Sequence, residues 1–565
     1  MTVIRKVAII GGGPAGLIAA NDLTRQRDQN WEIVGFEARQ SLGGVWSDNP
    51  GTHMEAEQVF PQLGSLDNLE GPLTPSQIFQ YDSPLVVNGR IANLRPLLTT
   101  SEKKPMQLTR RSRLRDGVIM SKKSGLYDDF MTNAPGQLMK LNQKSNLKEK
   151  KMAPQTSMAP LVDLAQVKEQ FQQFEKHSQS AGCFRLNTCV EYLDKLSPSK
   201  WIIVAKRSLP GAEHEEWYSE TFDAVVVANG HFMCPYVPFY MTAGDSNVHE
   251  FNKNFPNTLV HVRDLDHWYR KSLPALKQDL EKAKRKVVIV GKSFSAMDVL
   301  KRLVPLHNAN SNLEIIISTN TPPFPENSAN PFCWFDKWLT ETNKVTLKGR
   351  IAKFGQRGEK PILQFKDGSV VEDVSAVIFA TGYLYTFPFI SRSLLESYRI
   401  LVSPNPNDPS GSSSNASRVS GLYLHTFSIA DPTLAFVGIS SNANFQSFSI
   451  SSQAIAGVWS KFNRLFDQLQ PQDSPIYDSI WSQVLPCVQE QLSWAKERLS
   501  QTGNNGAYHF YYPLQLLESH WLRYCKPLFP TEDKEGGLFP ANSAELSQKG
   551  LRRLQELFYQ AVDPR

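Results

Sequence analysis

The chain has 565 residues, of which 41% are hydrophobic and 21% charged, and its formal net charge is +6 at pH 7. These values are typical of a globular protein with two or more domains, and the small net charge argues against nucleic-acid binding. No apolar run is long enough to span a bilayer. The first predicted strand starts too near the N-terminus to leave room for a secretory leader. The six cysteines contain no Cys-x-x-Cys pair, so we expect reduced thiols and a cytoplasmic location.

Residues 5–16 predict a nucleotide-binding turn. Residues 7–10 are an apolar run typical of a buried parallel strand, and Gly11, Gly13 and Gly16 follow in G-x-G-x-x-G spacing. The first glycine permits a tight turn, the second lets backbone approach a pyrophosphate, and the third lets the helix pack on the strand. Pro14 and Ala15 lie where that helix opens, so its amides would face the phosphates.

A second strand is predicted over residues 32–36, and Glu37 follows it where the fingerprint places an acid on the ribose hydroxyls. A carboxylate accepts from a 2′-hydroxyl and repels a 2′-phosphate, so FAD or NAD is favoured over NADP in this half. The run Gly44, Val45 and Trp46 resembles the segment that follows the acid in flavin-dependent monooxygenases, and this resemblance favours FAD.

Residues from about 50 to 123 are predicted to be an insertion, rich in Pro, Gly, Asn and Ser and basic at its end. A solvated loop is the simplest interpretation. A cap near the active site, or a surface that contacts anions, stays open.

Residues 124–139, SGLYDDFMTNAPGQLM, resemble a segment of flavin-containing monooxygenases. The matching residues are Tyr127, Asp128, Phe130, Thr132, Asn133, Pro135 and Met139. In that family the asparagine at the position of Asn133 lies beside the reactive face of the flavin. The resemblance therefore makes Asn133 the candidate catalytic residue, and Thr132 and Asn133 candidate cofactor ligands. Alone, Thr-Asn-Ala-Pro is only a turn or helix-capping signal.

A buried strand is predicted over residues 222–228, and the following Gly230 and His231 resemble the family's (Thr/Ser)-Gly-His element. Asn229 departs from it, because a small hydroxyl residue is usual there. His231 is interpreted as a structural histidine against the flavin, with a catalytic base as the alternative. Further along, His261, Arg263 and Asp264 resemble the family's approach to a second nucleotide site.

Residues 285–300 form a second, degenerate fingerprint. Gly291, Ser293 and Ala296 take the three glycine positions, and Lys292 and Ser295 lie in the same turn. The predicted strand 313–318 ends at Ser318 with no acid following, so NADPH is permitted. The family leads us to expect an arginine there for the 2′-phosphate. It is missing, and Lys292 or Arg263 stays open as a substitute.

Strand 374–380 is predicted to enter Thr381 and Gly382, in an element that resembles one shared by flavin-containing and N-hydroxylating monooxygenases. Residues 425–438, with Gln453 at the start of a helix, resemble the family's return strand and flavin-covering helix. Residues 404–420 are predicted to be a surface loop. The amphipathic run 551–561 is expected to pack on a core rather than on a membrane.

The resemblance to flavin-containing monooxygenases covers most of residues 3–461. It implies an α/β fold with two Rossmann-like dinucleotide-binding domains, the NADPH-binding domain being inserted into the FAD-binding domain. The expected divisions are residues 1–235 and 373–468 for FAD, 236–372 for NADPH, and 469–565 for a helical C-terminal segment.

The resemblance also implies the reaction. NADPH would reduce FAD, reduced flavin would take up O₂, and the resulting flavin hydroperoxide would transfer one oxygen atom to the sulfur or nitrogen of a small molecule. A Baeyer–Villiger or N-hydroxylating monooxygenase, a flavin oxidase that releases peroxide, and a non-catalytic FAD-binding interaction protein remain as alternatives. The histidines show no metal-ligand spacing, so no metal site is expected. Whether the protein forms a homo-oligomer is left open.

Overall fold

The fold was analysed in a computed structural model. The structure describes residues 3–47, 86–87, 90–91, 95–109, 125–127, 130–139, 161–177, 179–232, 234–238, 248–323, 332–402, 418–440, 444–468, 477–503, 506–511, 514–531 and 543–563. Asp128 and most of the predicted insertion and of the predicted loop at 404–420 therefore lie outside the described residues.

The first unit is built on a seven-stranded sheet. Its strands, in spatial order, are Leu422–Tyr423, Phe427–Ser428, Leu434–Phe436, Ala224–Val227, Lys6–Ile10, Glu32–Phe36 and Phe184–Arg185. Lys6–Ile10 is central and pairs in parallel with Glu32–Phe36 and Ala224–Val227, and the second predicted strand has the bounds that its sequence indicated. Val7 and Ile9 face one core, which contains the helices Pro14–Thr24 and Asn444–Asp467. Ala8 and Ile10 face another, as the two-residue period of a strand requires.

That other core is closed by a four-stranded antiparallel sheet. Its strands, in spatial order, are Met106–Thr109, His214–Phe222, Lys200–Arg207 and Thr188–Ser197. Trp201, Tyr218 and Phe222 fill the space between the two sheets and are fully buried. Burial of side chains of this size stabilises the fold by roughly 2–3 kcal/mol each, which holds the central strand in place.

The second unit contains a five-stranded sheet in which all neighbouring strands are parallel. The spatial order is Leu259–His261, Val374–Phe379, Arg285–Val290, Leu313–Ser318 and Thr346–Lys348. One face carries the helices Leu265–Leu280, Phe294–Ala309 and Cys333–Glu341. The other face packs on a three-stranded antiparallel sheet, Ile351–Arg357, Lys360–Phe365 and Val370–Glu372.

The predicted boundary at residue 372 is wrong. Val374–Phe379 was assigned to the second part of the FAD-binding domain, but it lies inside the second sheet between Leu259–His261 and Arg285–Val290. A parallel strand is reached through a long crossover, so its place in a sheet does not follow its place in the chain. The second unit therefore extends to about residue 380.

The C-terminal segment divides between the two units. Helices Tyr477–Val484, Val488–Thr502 and Leu514–His520 contribute Trp481, Trp494 and Leu517 to the core of the first unit. Helix Ser543–Val562 instead packs on Phe294–Ala309, and its Phe558 and Val562 are fully buried in the core of the second unit. The expectation that the amphipathic run 551–561 packs on a core is confirmed.

The remaining described elements are short. The other α-helices are Arg95–Leu98, Leu164–His177, Val248–Asn254 and Arg392–Tyr398. Three two-stranded ribbons pair Val86–Val87 with Arg90–Ile91, Cys234–Pro235 with Tyr383–Leu384, and Leu401–Val402 with Arg418–Val419. In the described part of the chain every helix is too short or too polar to cross a membrane.

Candidate functional site

The first turn, residues 11–16, joins Lys6–Ile10 to Pro14–Thr24, and its shape requires glycine at two positions. Gly11 has φ +106°, and a Cβ there would overlap the carbonyl of Ala228. A Cβ on Gly16 would overlap the Gly11 carbonyl. At Gly13 a Cβ would instead find ordinary contact distance, with the Gly44 Cα at 3.5 Å. The turn therefore presents backbone rather than side chains at the N-terminus of a helix, which is where pyrophosphates bind.

Glu37 lies beside this turn at the end of Glu32–Phe36 and is buried. Its two oxygens accept from the backbone amides of Gly12, at 2.7 Å, and Arg39, at 2.8 Å. The Arg39 guanidinium donates to the Gly44 carbonyl, which ties the acid to the Gly44–Trp46 turn. Burial lowers the pKa of Arg39, and Glu37 partly offsets this. The sequence analysis missed Arg39, whose one signal is its position two residues after the acid.

The helix Asn444–Asp467 packs on Pro14–Thr24, the helix that the first turn opens. A Cβ on Gly438 would lie 3.5 Å from the Cβ of Ala15, and the Ser452 hydroxyl donates to the Ile18 carbonyl at 3.3 Å. Four buried polar atoms here have no hydrogen-bond partner among the described residues. They are Ser440 Oγ, Gln446 Oε1, Ser447 Oγ and Gln453 Oε1.

Such orphan atoms are rare in folded proteins, because an unpaired buried polar group costs about 1–3 kcal/mol. A bound polar group would complete them. The open backbone turn and the acid fit a bound FAD. The cofactor contact of Gln453 stays a prediction, and this residue lies inside Asn444–Asp467 rather than at the start of a helix, as the sequence had indicated.

The second turn, residues 291–296, repeats the geometry of the first. Gly291 has φ +100°, and a Cβ there would lie 2.6 Å from the Ala380 carbonyl oxygen. Ser293 is the exposed residue that precedes Phe294–Ala309, Ser295 is half-buried, and Ala296 is fully buried against the sheet. This turn too presents the N-terminus of a helix to a dinucleotide.

The charges around the second turn differ from those around the first. Ser318 ends its strand as Phe36 does in the first unit, so Thr319 takes the place of the acid. The Ser318 hydroxyl donates to the Gly349 carbonyl at 2.9 Å. Lys292 Nζ lies 2.7 Å from Asp336 Oδ1 and 3.0 Å from the Pro322 carbonyl oxygen. Its ammonium therefore lies at the loop that follows this strand. Arg263, the alternative cation, is buried and faces Asp264.

Thr381 and Gly382 follow Val374–Phe379 and are fixed by residues of neighbouring elements. The Thr381 hydroxyl donates to the Tyr236 carbonyl. His261 Nδ1 accepts from the Arg263 amide at 3.1 Å, so Nε2 carries the proton and donates to the Gly382 carbonyl at 3.1 Å. Burial, with a smaller effect from Arg263, lowers the pKa of His261 to about 3, and its ring is neutral at pH 7.

His231 has a similar environment near the first turn. Burial lowers its pKa to about 4, although a hydrogen bond with the Gly438 backbone favours the protonated form. Its ring lies 4.6 Å from that of Tyr385 and 4.1 Å from that of Phe232. These contacts fit a histidine that packs a turn, as the preferred interpretation has it.

The bridging segment, residues 125–127 and 130–139, contacts both units. Tyr127 lies in the core of the second unit, and its hydroxyl donates to Asp298, four residues into the helix opened by the second turn. The Phe130 ring lies 5.8 Å from that of Tyr127 and 5.9 Å from that of Trp46. Leu138 lies in the core of the first unit.

Asn133 lies in this segment, in a turn that is fixed from within. The Thr132 hydroxyl donates to the Ala134 carbonyl at 2.9 Å and accepts from the Val162 amide at 3.1 Å. Thr132 is buried and uses its hydroxyl to shape the turn, so these bonds do not support the predicted cofactor contact. Asn133 is exposed. Asn133 thus follows two residues of this segment that contact the two units, Tyr127 at Asp298 and Phe130 at Trp46.

Two family models match the chain. A flavin-binding monooxygenase-like model matches residues 340–403, and an NAD(P)-binding Rossmann-like domain model matches residues 9–58, which include the first turn and Glu37. The first matched region contains Val374–Phe379, Thr381 and Gly382 of the second unit. The second contains all three glycines of the first turn.

Curated proteins and solved structures extend the similarity over most of the chain. A flavin-containing monooxygenase of Amanita muscaria, iboF, is 23% identical over 485 residues, which are 81% of this chain and 79% of that protein. A trimethylamine monooxygenase of a Pelagibacter species is 24% identical over 69% of this chain and 63% of its own length. The S-allyl-L-cysteine S-oxygenase of Allium sativum has the same fold, with a TM-score of 0.58 at 19% identity over 99% of this chain and 95% of its own.

The matched families, the relatives along four fifths of the chain and the two dinucleotide turns agree with one another. The chain is similar to flavin-containing monooxygenases along most of its length, and it is an FAD- and NADPH-dependent monooxygenase.

Proposed function

We propose that this enzyme inserts one oxygen atom into a soft nucleophile, the sulfur or nitrogen of a small molecule. Bound FAD would supply the redox chemistry, which is the activation of O₂ with electrons from NADPH and the transfer of one oxygen atom to the substrate. The protein holds both cofactors, orients the substrate and excludes water.

The observation that carries this proposal is the course of the bridging segment. It is anchored to the helix of the second turn through Tyr127 and to the Gly44–Trp46 turn through Phe130. Asn133 is exposed on this segment, and its amide can donate to an oxygen and accept from an N–H. We therefore give Asn133 the role of holding the nicotinamide amide and the oxygen to be transferred.

The titratable groups nearest the two turns favour a substrate that needs no proton from the protein. His231 and His261 are neutral at pH 7, because burial lowers the pKa of each, to about 4 and about 3. Burial also raises the pKa of the Tyr383 hydroxyl, which stays protonated. An amine or a thioether reacts through its lone pair and does not require general acid catalysis by a side chain. The S-oxygenase and the trimethylamine monooxygenase among the similar proteins have names that fit both substrate classes.

We further propose that Lys292 binds the 2′-phosphate of NADPH. Its ammonium lies beside the Pro322 carbonyl, just beyond the end of Leu313–Ser318, where the ribose of a dinucleotide lies in this fold. Asp336 holds the ammonium in place in the absence of the family's arginine. A phosphate can share this cation, since an ammonium carries three donors.

Product analysis tests the proposed reaction. The purified holoenzyme is incubated with NADPH and O₂ together with thioanisole, trimethylamine or cyclohexanone, and products are separated by mass spectrometry. We expect the sulfoxide or the N-oxide, with NADPH consumed in proportion, and no product with Asn133→Ala. The lactone as main product would instead identify a Baeyer–Villiger enzyme. NADPH consumption with peroxide as the only product would contradict the proposal.

A further inference from the structure

The C-terminal helix Ser543–Val562 buries one narrow face. The buried positions recur at every fourth residue. They are Leu546, Gly550, Leu554, Phe558 and Val562. A spacing of four defines a single ridge along a helix, and such ridges fit the grooves of neighbouring elements. Gly550 is the one small residue of this ridge, and it lies between Leu546 and Leu554.

The end of this helix is anchored firmly to the second unit. The Phe558 ring packs edge-on to Trp338, with centroids 4.9 Å apart, and the side chain is fully buried. The Val562 carbonyl accepts from Asn308 Nδ2 at 3.0 Å and from Lys344 Nζ at 2.9 Å. The helix therefore moves with the unit that carries the second turn.

Gly550 places the middle of the helix against the bridging segment. A Cβ on Gly550 would lie 2.8 Å from Pro135 Cγ and 3.3 Å from Pro135 Cδ. Pro135 is buried and follows Asn133 by two residues. The bonds of Thr132 stiffen the same turn, so a displacement of Pro135 cannot be absorbed without moving Asn133.

We propose that Gly550 is a positioning residue of the active site, and that the C-terminal helix sets how far Asn133 reaches between the two cofactor turns. The proposal rests on the proposed role of Asn133. The helix is anchored to the second unit at Phe558, and its glycine lets it lie directly on Pro135. Through this contact the C-terminal helix supports Asn133, a residue more than 400 positions earlier in the chain.

Helix stability alone predicts the opposite preference at this position. Alanine and leucine are far better helix formers than glycine, so either would strengthen an isolated helix. If the helix only stabilised the fold, the contact of a Cβ with Pro135 would change the thermal stability of Gly550→Ala and leave peroxide release per bound FAD unchanged. A role in positioning predicts instead a loss of control over oxygen chemistry with the fold intact.

The test measures NADPH oxidation that ends in peroxide when no substrate is present (NADPH + H⁺ + O₂ → NADP⁺ + H₂O₂), per bound FAD. Full-length Gly550→Ala and Gly550→Leu are compared with two controls. Gly182→Ala adds a Cβ where nothing lies within 4 Å, and Gln548→Leu adds a leucine on the exposed face of the same helix. Thermal unfolding and FAD content are measured for each protein.

We expect peroxide release to rise about tenfold or more in Gly550→Leu and less in Gly550→Ala, because sub-ångström displacements of catalytic groups are costly. Both controls should stay within about twofold of the wild type. Pro135→Ala should reverse much of the effect of Gly550→Ala, since it removes the atoms that a Cβ meets. Folded, FAD-bound Gly550 variants that release peroxide at the rate of the controls would overturn the proposal. A wild-type enzyme that does not oxidise NADPH would contradict the proposed function itself.

Discussion

The two dinucleotide turns share a backbone and differ in their side chains. Gly11 and Gly291 both have left-handed φ angles, of +106° and +100°, and each lies against the carbonyl of the residue that follows the neighbouring parallel strand. The third position is Gly16 in the first turn and Ala296 in the second. Glu37 directly follows the second strand of the first unit, whereas Thr319 directly follows the corresponding strand of the second.

This difference separates what makes a dinucleotide site from what selects the dinucleotide. The glycine geometry and the helix N-terminus are common to both turns and bind a pyrophosphate. The side chain at the end of the second strand, an acid in one unit and a hydroxyl near Lys292 in the other, separates a free ribose from a phosphorylated one. On this basis we propose that one fold holds FAD in the first turn and NADPH in the second.

The largest expected effect comes from exchanging the third residue of each turn. Gly16→Ala places a methyl group on the Gly11 carbonyl, and we expect loss of FAD and of about 3 kcal/mol of stability. The reciprocal Ala296→Gly should cost only about 1 kcal/mol and keep the flavin. Flavin absorbance and urea unfolding measure both. Retention of FAD by Gly16→Ala would show that the two turns are not built on the same close contact.

The next effect tests the charges around the second turn. Lys292→Gln should raise the KM for NADPH about 30-fold, or about 2 kcal/mol, by removing a charged hydrogen bond to the 2′-phosphate. The KM for NADH should change little, because NADH lacks that phosphate. Steady-state kinetics with both coenzymes measure this, with the exposed Lys277→Gln as the control. An equal change for both coenzymes would place Lys292 outside the phosphate site.

A smaller effect concerns the histidine beside each turn, His231 at Gly438 and His261 at Gly382. Burial lowers the pKa of each well below that of the unfolded chain, so the stability they contribute is present above pH 6.5 and lost as the pH falls. At pH 5.5 each should cost about 1.4 kcal/mol. Unfolding at pH 7.5 and 5.5 measures the difference. His261→Gln should remove its share, and the exposed His214→Gln should not; equal pH dependence in both variants would contradict this account.

The smallest effect tests the link between the turns. Tyr127→Phe keeps the ring but loses the hydroxyl that donates to Asp298, at a cost of about 1 kcal/mol. We expect flavin content to be unchanged and reduction by NADPH to slow about fivefold. Rapid-mixing absorbance under anaerobic conditions measures the rate. An unchanged rate would mean that the second turn is positioned without the bridging segment.

The parts of the fold that local sequence controls could be predicted. Glu32–Phe36 has its predicted bounds, and both turns lie where glycine spacing placed them, because tight turns and strand periodicity depend on neighbouring residues. The strand predicted over residues 313–318 is observed as Leu313–Ser318 for the same reason.

The parts of the fold that depend on contacts between distant residues could not be predicted from the sequence. Val374–Phe379 returns to the middle of a sheet begun more than 100 residues earlier, and no local pattern selects that sheet. Tyr127 and Asp298 are 171 positions apart, and Lys292 and Asp336 are 44 apart, so neither pair leaves a periodic signal. Arg39 was missed because its function is a bond to a backbone carbonyl, which no side-chain pattern records.

The most direct test of the central claim is anaerobic mixing of the purified enzyme with one equivalent of NADPH or NADH, followed by flavin absorbance. If the first turn holds FAD and the second holds NADPH, the preparation is yellow, NADPH bleaches it in a single turnover, and NADH does so far more slowly. A colourless protein, or a yellow one that NADPH leaves oxidised, would contradict the account.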